Sequence, residues 1–220
     1  MRIEFDLFGN ALDSIETAIE LVAWGDSEPH QRRLKRSIQA VSHGVELLLK
    51  ERLRRLHPSL IWENVDKYPS LAARTVGSEQ AMSRLTSIGG LVFSKGEAEV
   101  VRSLRSTRNA IEHYAWATTK AEAEKIVGQA LDFAFHFAKK ELAYDFLGYA
   151  AHKDGTIGPL LAANPALAEA LSRRAFAPRD INEVQPLECE VCRARAVDPS
   201  TRACRLCGHW NPEYLDDLPF

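Results

Sequence analysis

A chain of 220 residues has room for one or two domains and for a sizeable buried core. Its 45% hydrophobic and 26% charged residues exclude disorder as the main state. With 28 Lys and Arg against 30 Asp and Glu, the net charge of −2 excludes a global field that would draw the protein to nucleic acid or membrane, so any such binding must use a local patch. No apolar run approaches the ~18 residues of a spanning helix, and the opening MRIEFDLFGN carries no signal-type apolar stretch. The expectation is a soluble, cytoplasmic protein without a membrane partner.

Pro29, Pro58 and Pro69 are the prolines of the first 150 residues, the other seven follow from Pro159 onward, and all four cysteines lie in the last third. Proline ends helices. The asymmetry therefore predicts a helical bundle over residues 1–150, a linker with a short helix over 151–186, and a loop-rich unit and tail over 187–220.

Taken in order, Asn10 is placed to cap a first helix in which Leu12, Ile15, Ile19 and Val22 recur at helical spacing up to Gly25. The second helix, from Pro29 to about Leu56, carries Leu34, Ile38, Val41, Val45, Leu48 and Leu49 on one stripe and Leu47 on the other side. A helix apolar nearly all round belongs in the middle of a bundle. Pro58 and Pro69 bracket a short segment, and Ser78 opens a modest helix that ends at Gly89-Gly90. After Gly96, the run EAEVVRSLRSTRNAIEHYAWA reads as the next helix. Thr119-x-x-Glu122 forms a capping box for a last long helix carrying Ile126, Phe133, Phe135, Phe137 and Phe146. Together these make an all-α, antiparallel four-helix bundle.

On a helical wheel from Val100 to Trp116, Val100, Leu104, Ile111 and Ala115 define the core face, and Arg102, Asn109 and His113 lie opposite. Arg108 falls at the edge of the apolar face, where a guanidinium is costly to desolvate unless it is paired. Glu112, one turn on, is the plain structural partner. Asn109 is also one turn from His113 and could fix its tautomer. Two basic clusters, Arg32-Arg33-Lys35-Arg36 and Lys50-Arg52-Arg54-Arg55, read either as solvated helix faces or as phosphate-binding patches.

Cys189-x2-Cys192 and Cys204-x2-Cys207, separated by eleven residues, are two turns that can each aim two sulfurs at one point and together complete a tetrahedral tetrathiolate for structural Zn2+. Two disulfides or a redox pair are the alternatives, which a reducing compartment disfavours. Gly208 is placed to adopt a positive backbone angle after the second pair. Four thiolates leave no open coordination position, which argues against zinc catalysis. From Leu187 to Trp210 the chain resembles a zinc ribbon. The resemblance implies zinc binding and leaves open whether the unit contacts nucleic acid, contacts protein or is only structural.

Arg108-Asn109-Ala110-Ile111-Glu112-His113 also resembles the Arg-x(4 to 6)-His motif of HEPN domains, with the polar residue that commonly follows the arginine. The run AVSHGVELLLKERL is similar to the long early helix of that family, and the likeness covers roughly residues 10–150. It implies a four- to five-helix bundle, a homodimer and a metal-independent endoribonuclease of toxin or antiviral defence systems, with RNA as substrate and an antitoxin or regulatory protein as partner. In the branch paired with nucleotidyltransferase antitoxins, a modifiable tyrosine stands two residues after the histidine. Here Ala115 holds that place and Tyr114 comes one residue early, so that form of regulation is not implied.

The implied chemistry needs no metal. RNA brings its own 2′-hydroxyl nucleophile, so the protein supplies a proton carrier, His113, and a cation for the phosphorane, Arg108, with Asn109 orienting the imidazole. The two principal residues lie about 140° apart on a straight helix, so a kink or a second protomer is needed to bring them together. The competing expectation is a HEPN-type scaffold that binds RNA, nucleotide or protein without cutting, with the zinc unit as adaptor.

Overall fold

The computed structural model describes residues 6–24, 30–148, 155–176 and 185–212. Among them the chain is mostly helical, with a small cysteine cluster near its C-terminal end. The helices are α1 (Leu7–Trp24), α2 (His30–Leu56), α3 (Ser78–Ser87), α4 (Lys95–His113), α5 (Lys120–Phe137), α6 (Ile157–Ala163) and α7 (Pro165–Ala175). The strands β1 (Leu187–Glu188) and β2 (Arg195–Val197) follow and pair antiparallel with a register irregularity after Leu187.

The central element is α2, which packs against α1, α3, α4 and α5. Its place follows from its sequence, because Leu34, Ile38, Val41, Val45, Leu47, Leu48, Leu49 and Leu53 are all buried and cover most of the helix circumference. The approach of α1 is close at Gly44, where a Cβ would stand 2.5 Å from Ile15 Cδ1. Between α2 and α3, two short 3-10 turns at Pro58–Ile61 and Val65–Lys67 fill the proline-bracketed segment.

Several boundaries differ from the sequence expectation. Asn10 lies inside α1; the cap is Asp6, whose Oδ1 accepts the Gly9 amide at 2.6 Å. The Gly25 and Pro29 limits fall outside the described residues. Ser94 and Glu97 form a capping box that starts α4, before Gly96. The same helix ends at His113, where Tyr114 turns extended, so Ala115 and Trp116 are not helical. Trp116 instead packs on the core, and Thr119, accepting the Glu122 amide at 3.2 Å, restarts the chain as α5. Phe146 is not on α5, because a π-helical turn at Ala138–Leu142 and a left-handed Ala143 break it. The break folds Tyr144 and Phe146 back so that their rings meet Phe8 and Phe135 at centroid separations of 5.8 and 5.4 Å.

Between residues 151 and 186, where the sequence predicts a linker with one short helix, the described residues form two helices that pack on the bundle. Ile157, Leu160, Leu161, Leu167 and Leu171 join the buried core, α6 on α1 and α7 on α5. The division between them is the Asn164-Pro165 dipeptide. Asn164 Oδ1 accepts the Leu167 amide at 3.0 Å, its Nδ2 donates to Glu124 O at 2.8 Å, and proline opens the helix where no donor is needed.

Candidate functional site

Two places carry chemistry: the last turns of α4 and the four cysteines. On α4 the buried side chains are Val101, Leu104 and Thr107. The core face is thus rotated slightly from the expected line through Val100 and Ile111, which are half-buried and pack at its margin. Arg108 and Asn109 sit half-buried beside it. The Arg108 guanidinium donates from Nε to Glu112 Oε1 at 3.0 Å, the pairing its position on the wheel calls for. His113 is exposed at the end of the helix, its ring edge-on to Tyr114 with centroids 6.4 Å apart. Among the described residues Asn109 makes no hydrogen bond to His113, and Arg108 pairs with Glu112 rather than with His113.

The basic clusters on α2 part company. At its C-terminal end, Lys50 is buried and donates to Glu46 at 2.7 Å and Thr75 Oγ1 at 3.0 Å, while Arg52 reaches Glu141 at 3.2 Å. Glu51 is only 1% exposed and accepts from Arg54 at 2.7 and 2.9 Å and from Arg55 at 2.9 Å. Burial pushes its carboxyl up, but the Arg54 and Arg55 hydrogen bonds hold it below the usual carboxylate range. All four cations of this cluster are thus paired within the protein. At the N-terminal end Arg33 is buried, whereas Arg32, Lys35 and Arg36 reach the surface.

The cysteines meet the geometric expectation. All four Sγ atoms lie within 4.8 Å of one another, with Cys189 and Cys207 3.6 Å apart and Cys192 and Cys204 3.7 Å apart. A tetrahedron of ~2.3 Å metal–sulfur bonds has sulfurs about 3.8 Å apart. Cys189, Cys192 and Cys204 are buried and Cys207 half-buried. Without a cation these thiols cannot all ionise. Hydrogen bonds from Cys192 and Cys207 hold Cys204 far below the ordinary thiol range, and the bond to Cys204 drives Cys192 far above it. A bound cation removes that conflict, because each thiolate then faces positive charge. The residues present can therefore hold a metal ion.

Each Cys-x2-Cys turn closes alike. Arg193 N donates to Cys189 O and Gly208 N to Cys204 O, both at 2.9 Å, and the residue after each second cysteine has a positive φ, 58° at Arg193 and 74° at Gly208. Gly208 behaves as its sequence position suggests; Arg193 takes the same angle with a side chain attached. Three residues outside the cysteine pattern complete the unit. Asn211 is fully buried; its Oδ1 accepts the Glu190 amide at 2.9 Å and its Nδ2 donates to His209 O at 3.0 Å. Asp198 accepts from Ser200 Oγ at 2.6 Å and Arg205 Nη2 at 2.8 Å, which depresses its carboxyl below the ordinary range. Arg205 also lies over the Phe176 ring, 4.2 Å from its centroid, and donates to Ala175 O at 3.2 Å, tying the unit to the end of α7. A local signal existed for Asn211, as the Asn-Pro dipeptide. None existed for the seat of Arg205 on α7, because Ala175 and Phe176 lie some thirty residues before it.

No helix of the described residues is long and apolar enough to cross a membrane. No protein-family model, no curated protein and no solved structure matches the chain.

Proposed function

We propose that the protein is a HEPN-type, metal-independent endoribonuclease, acting in toxin or antiviral defence systems as a cytoplasmic homodimer, and that its four cysteines hold a structural Zn2+ in a ribbon-like unit. The observation that carries the catalytic reading is the placement of Arg108, Asn109 and His113 in the last two turns of one helix, all outside its buried stripe. Side chains held on a regular helix but open to solvent can meet a phosphodiester without unfolding anything. His113 takes the proton from the 2′-hydroxyl or returns one to the leaving oxygen, and Arg108 faces the charge that builds on the phosphorane. Because the two point to different sides of α4, the active arrangement draws His113 and Arg108 from two protomers across a two-fold axis near this helix. Zinc is the fitting metal for four thiolates at tetrahedral spacing, and with no open position it supplies structure.

A specific observation favours a second reading. Arg108 is already paired with Glu112, as an arginine with a purely structural role would be, and on that reading the domain is a scaffold that binds RNA, nucleotide or a protein partner, with the zinc unit as adaptor. Incubating purified protein with total RNA in EDTA separates the two. The ribonuclease cuts, needs the 2′-hydroxyl, leaves a cyclic phosphate or its opened product, and slows at least ~100-fold in the Arg108→Ala and His113→Ala variants. Asn109→Ala costs less, because its amide neither carries the proton nor faces the phosphorane charge, and Arg108→Lys tests whether charge without the fork suffices. Cleavage that persists in His113→Ala, or no cleavage at all, leaves the scaffold.

A further inference from the structure

Beside the end of α4 a cleft of about 590 Å3 opens between the first turn of α2, the segment after His113 and the start of α5. That volume lies in the range of sites for a single small ligand. Its walls carry Tyr114, Trp116, Lys35, Lys120 and His30 over an apolar floor that includes Leu34, and no Asp or Glu is among the described residues that line it. Three other clefts of the described residues differ in this respect: those around Arg173 and around Arg105 include Glu169, Glu97, Asp132, Glu63 or Glu79. Tyr114 is 77% exposed, so its ring is open to a ligand from the solvent side. Lys35 is exposed and forms no ion pair among the described residues, and Lys120 has only a loose one, 3.6 Å from Glu124.

From this juxtaposition we infer that the cleft is a nucleotide subsite for single-stranded RNA. One base stacks on Tyr114, and the phosphate beyond it is held by Lys35 and Lys120. Stacking on an aromatic face with a flanking cation is how single strands are held without reading their sequence, and among the described residues of the lining the charged side chains that would meet the phosphate are the cations Lys35 and Lys120. The Tyr114 ring lies 6.4 Å from that of His113, so the base it holds belongs to a nucleotide adjacent to the bond that is cut. This assignment rests on the ribonuclease reading for its meaning, but not for its measurement.

The test uses the full-length protein and a fluorescent ten-nucleotide RNA carrying 2′-O-methyl groups throughout, which can bind but has no nucleophile. Binding is followed by anisotropy across a salt series, and cleavage of the unmodified oligonucleotide is measured in parallel. Tyr114→Ala should weaken binding about 10-fold, within the range of one lost base stack, and raise KM while sparing kcat; Tyr114→Phe should restore both. Lys35→Glu and Lys120→Glu should weaken binding and flatten its salt dependence. All the side chains changed are at the surface, and circular dichroism verifies that each variant folds. If wild type cuts RNA while Tyr114→Ala, Lys35→Glu and Lys120→Glu all bind unchanged, the subsite is overturned and the ribonuclease stands. If binding depends on Tyr114 but nothing is cut, the subsite stands and the ribonuclease falls. If wild type fails to bind the oligonucleotide at micromolar concentration, the subsite is overturned, and the parallel cleavage measurement alone decides the ribonuclease.

Discussion

In α2 alone, eight large aliphatic side chains are buried, whereas between Leu187 and Asn211 the buried apolar side chains other than the cysteines are Ala194, Ala196 and Val197. Burying a large aliphatic side chain is worth about 1.5–3 kcal/mol. The helical body can therefore offset its chain entropy from apolar burial, and the cysteine unit cannot. That unit depends on four convergent sulfurs, the Asn211 and Asp198 hydrogen bonds and its seat on α7. The difference teaches that the two regions should fail under different insults, and it can be pressed from either side.

The largest effect should come from the metal. Structural zinc contributes about 10–16 kcal/mol to folding in small thiolate units, far more than three small apolar side chains. Strong chelation, or Cys204→Ser, should unfold residues 187–211 while far-UV circular dichroism retains the helical signal. Elemental analysis should give about one zinc per chain, and none in reduced protein would break the contrast at its base.

Next in size is the Glu51 network. Glu51→Gln should cost the body about 2 kcal/mol at neutral pH, the scale of charged hydrogen bonds lost from a buried carboxylate. The folded carboxyl titrates below its ordinary range, so its stabilisation is present above the unfolded pKa and lost as pH falls through the folded one. The gap between variant and wild type in denaturant melts should therefore close below the ordinary glutamate range. A gap that widens in acid would contradict the assignment.

A packing change comes third. A Cβ on Gly128 would meet Asn164 Oδ1 at 2.5 Å and Leu167 N at 2.9 Å, so Gly128→Ala must push α7 away or dislodge its cap. About 1–2 kcal/mol is expected, seen as a melting temperature lower by a few degrees without loss of metal. The smallest effect belongs to the seam between the regions. Arg205→Ala removes the contact with Phe176, the bond to Ala175 O and the exposed pair with Asp198, together worth about 1 kcal/mol, and should speed amide exchange in the last turn of α7 while zinc content holds, because Asp198 keeps its Ser200 bonds. Metal loss in that variant would show that the cysteine unit is less separable than its own bonds imply.

How much of this was legible in the sequence depended on the range of the interaction. The 3.6-residue stripes of α1, α2 and α5, the Thr119 cap and the convergence of two Cys-x2-Cys turns are consequences of neighbours a few residues apart, and these the sequence determined. The Arg108-x4-His113 pattern was likewise visible in the sequence, as was Glu112, one helical turn from Arg108, as its partner. Where α4 stops was not, because its pattern continues smoothly through Tyr114 and Ala115 until Trp116 finds a place on the core. The π turn that removes Phe146 from α5, the burial of α6 and α7 against the bundle, the use of Lys50 and Arg52 as structural cations and the seating of Arg205 on Phe176 also waited for the tertiary structure. Each depends on a partner distant in the chain, and a one-dimensional pattern shows which side chains need burial or pairing but not which surface will supply it.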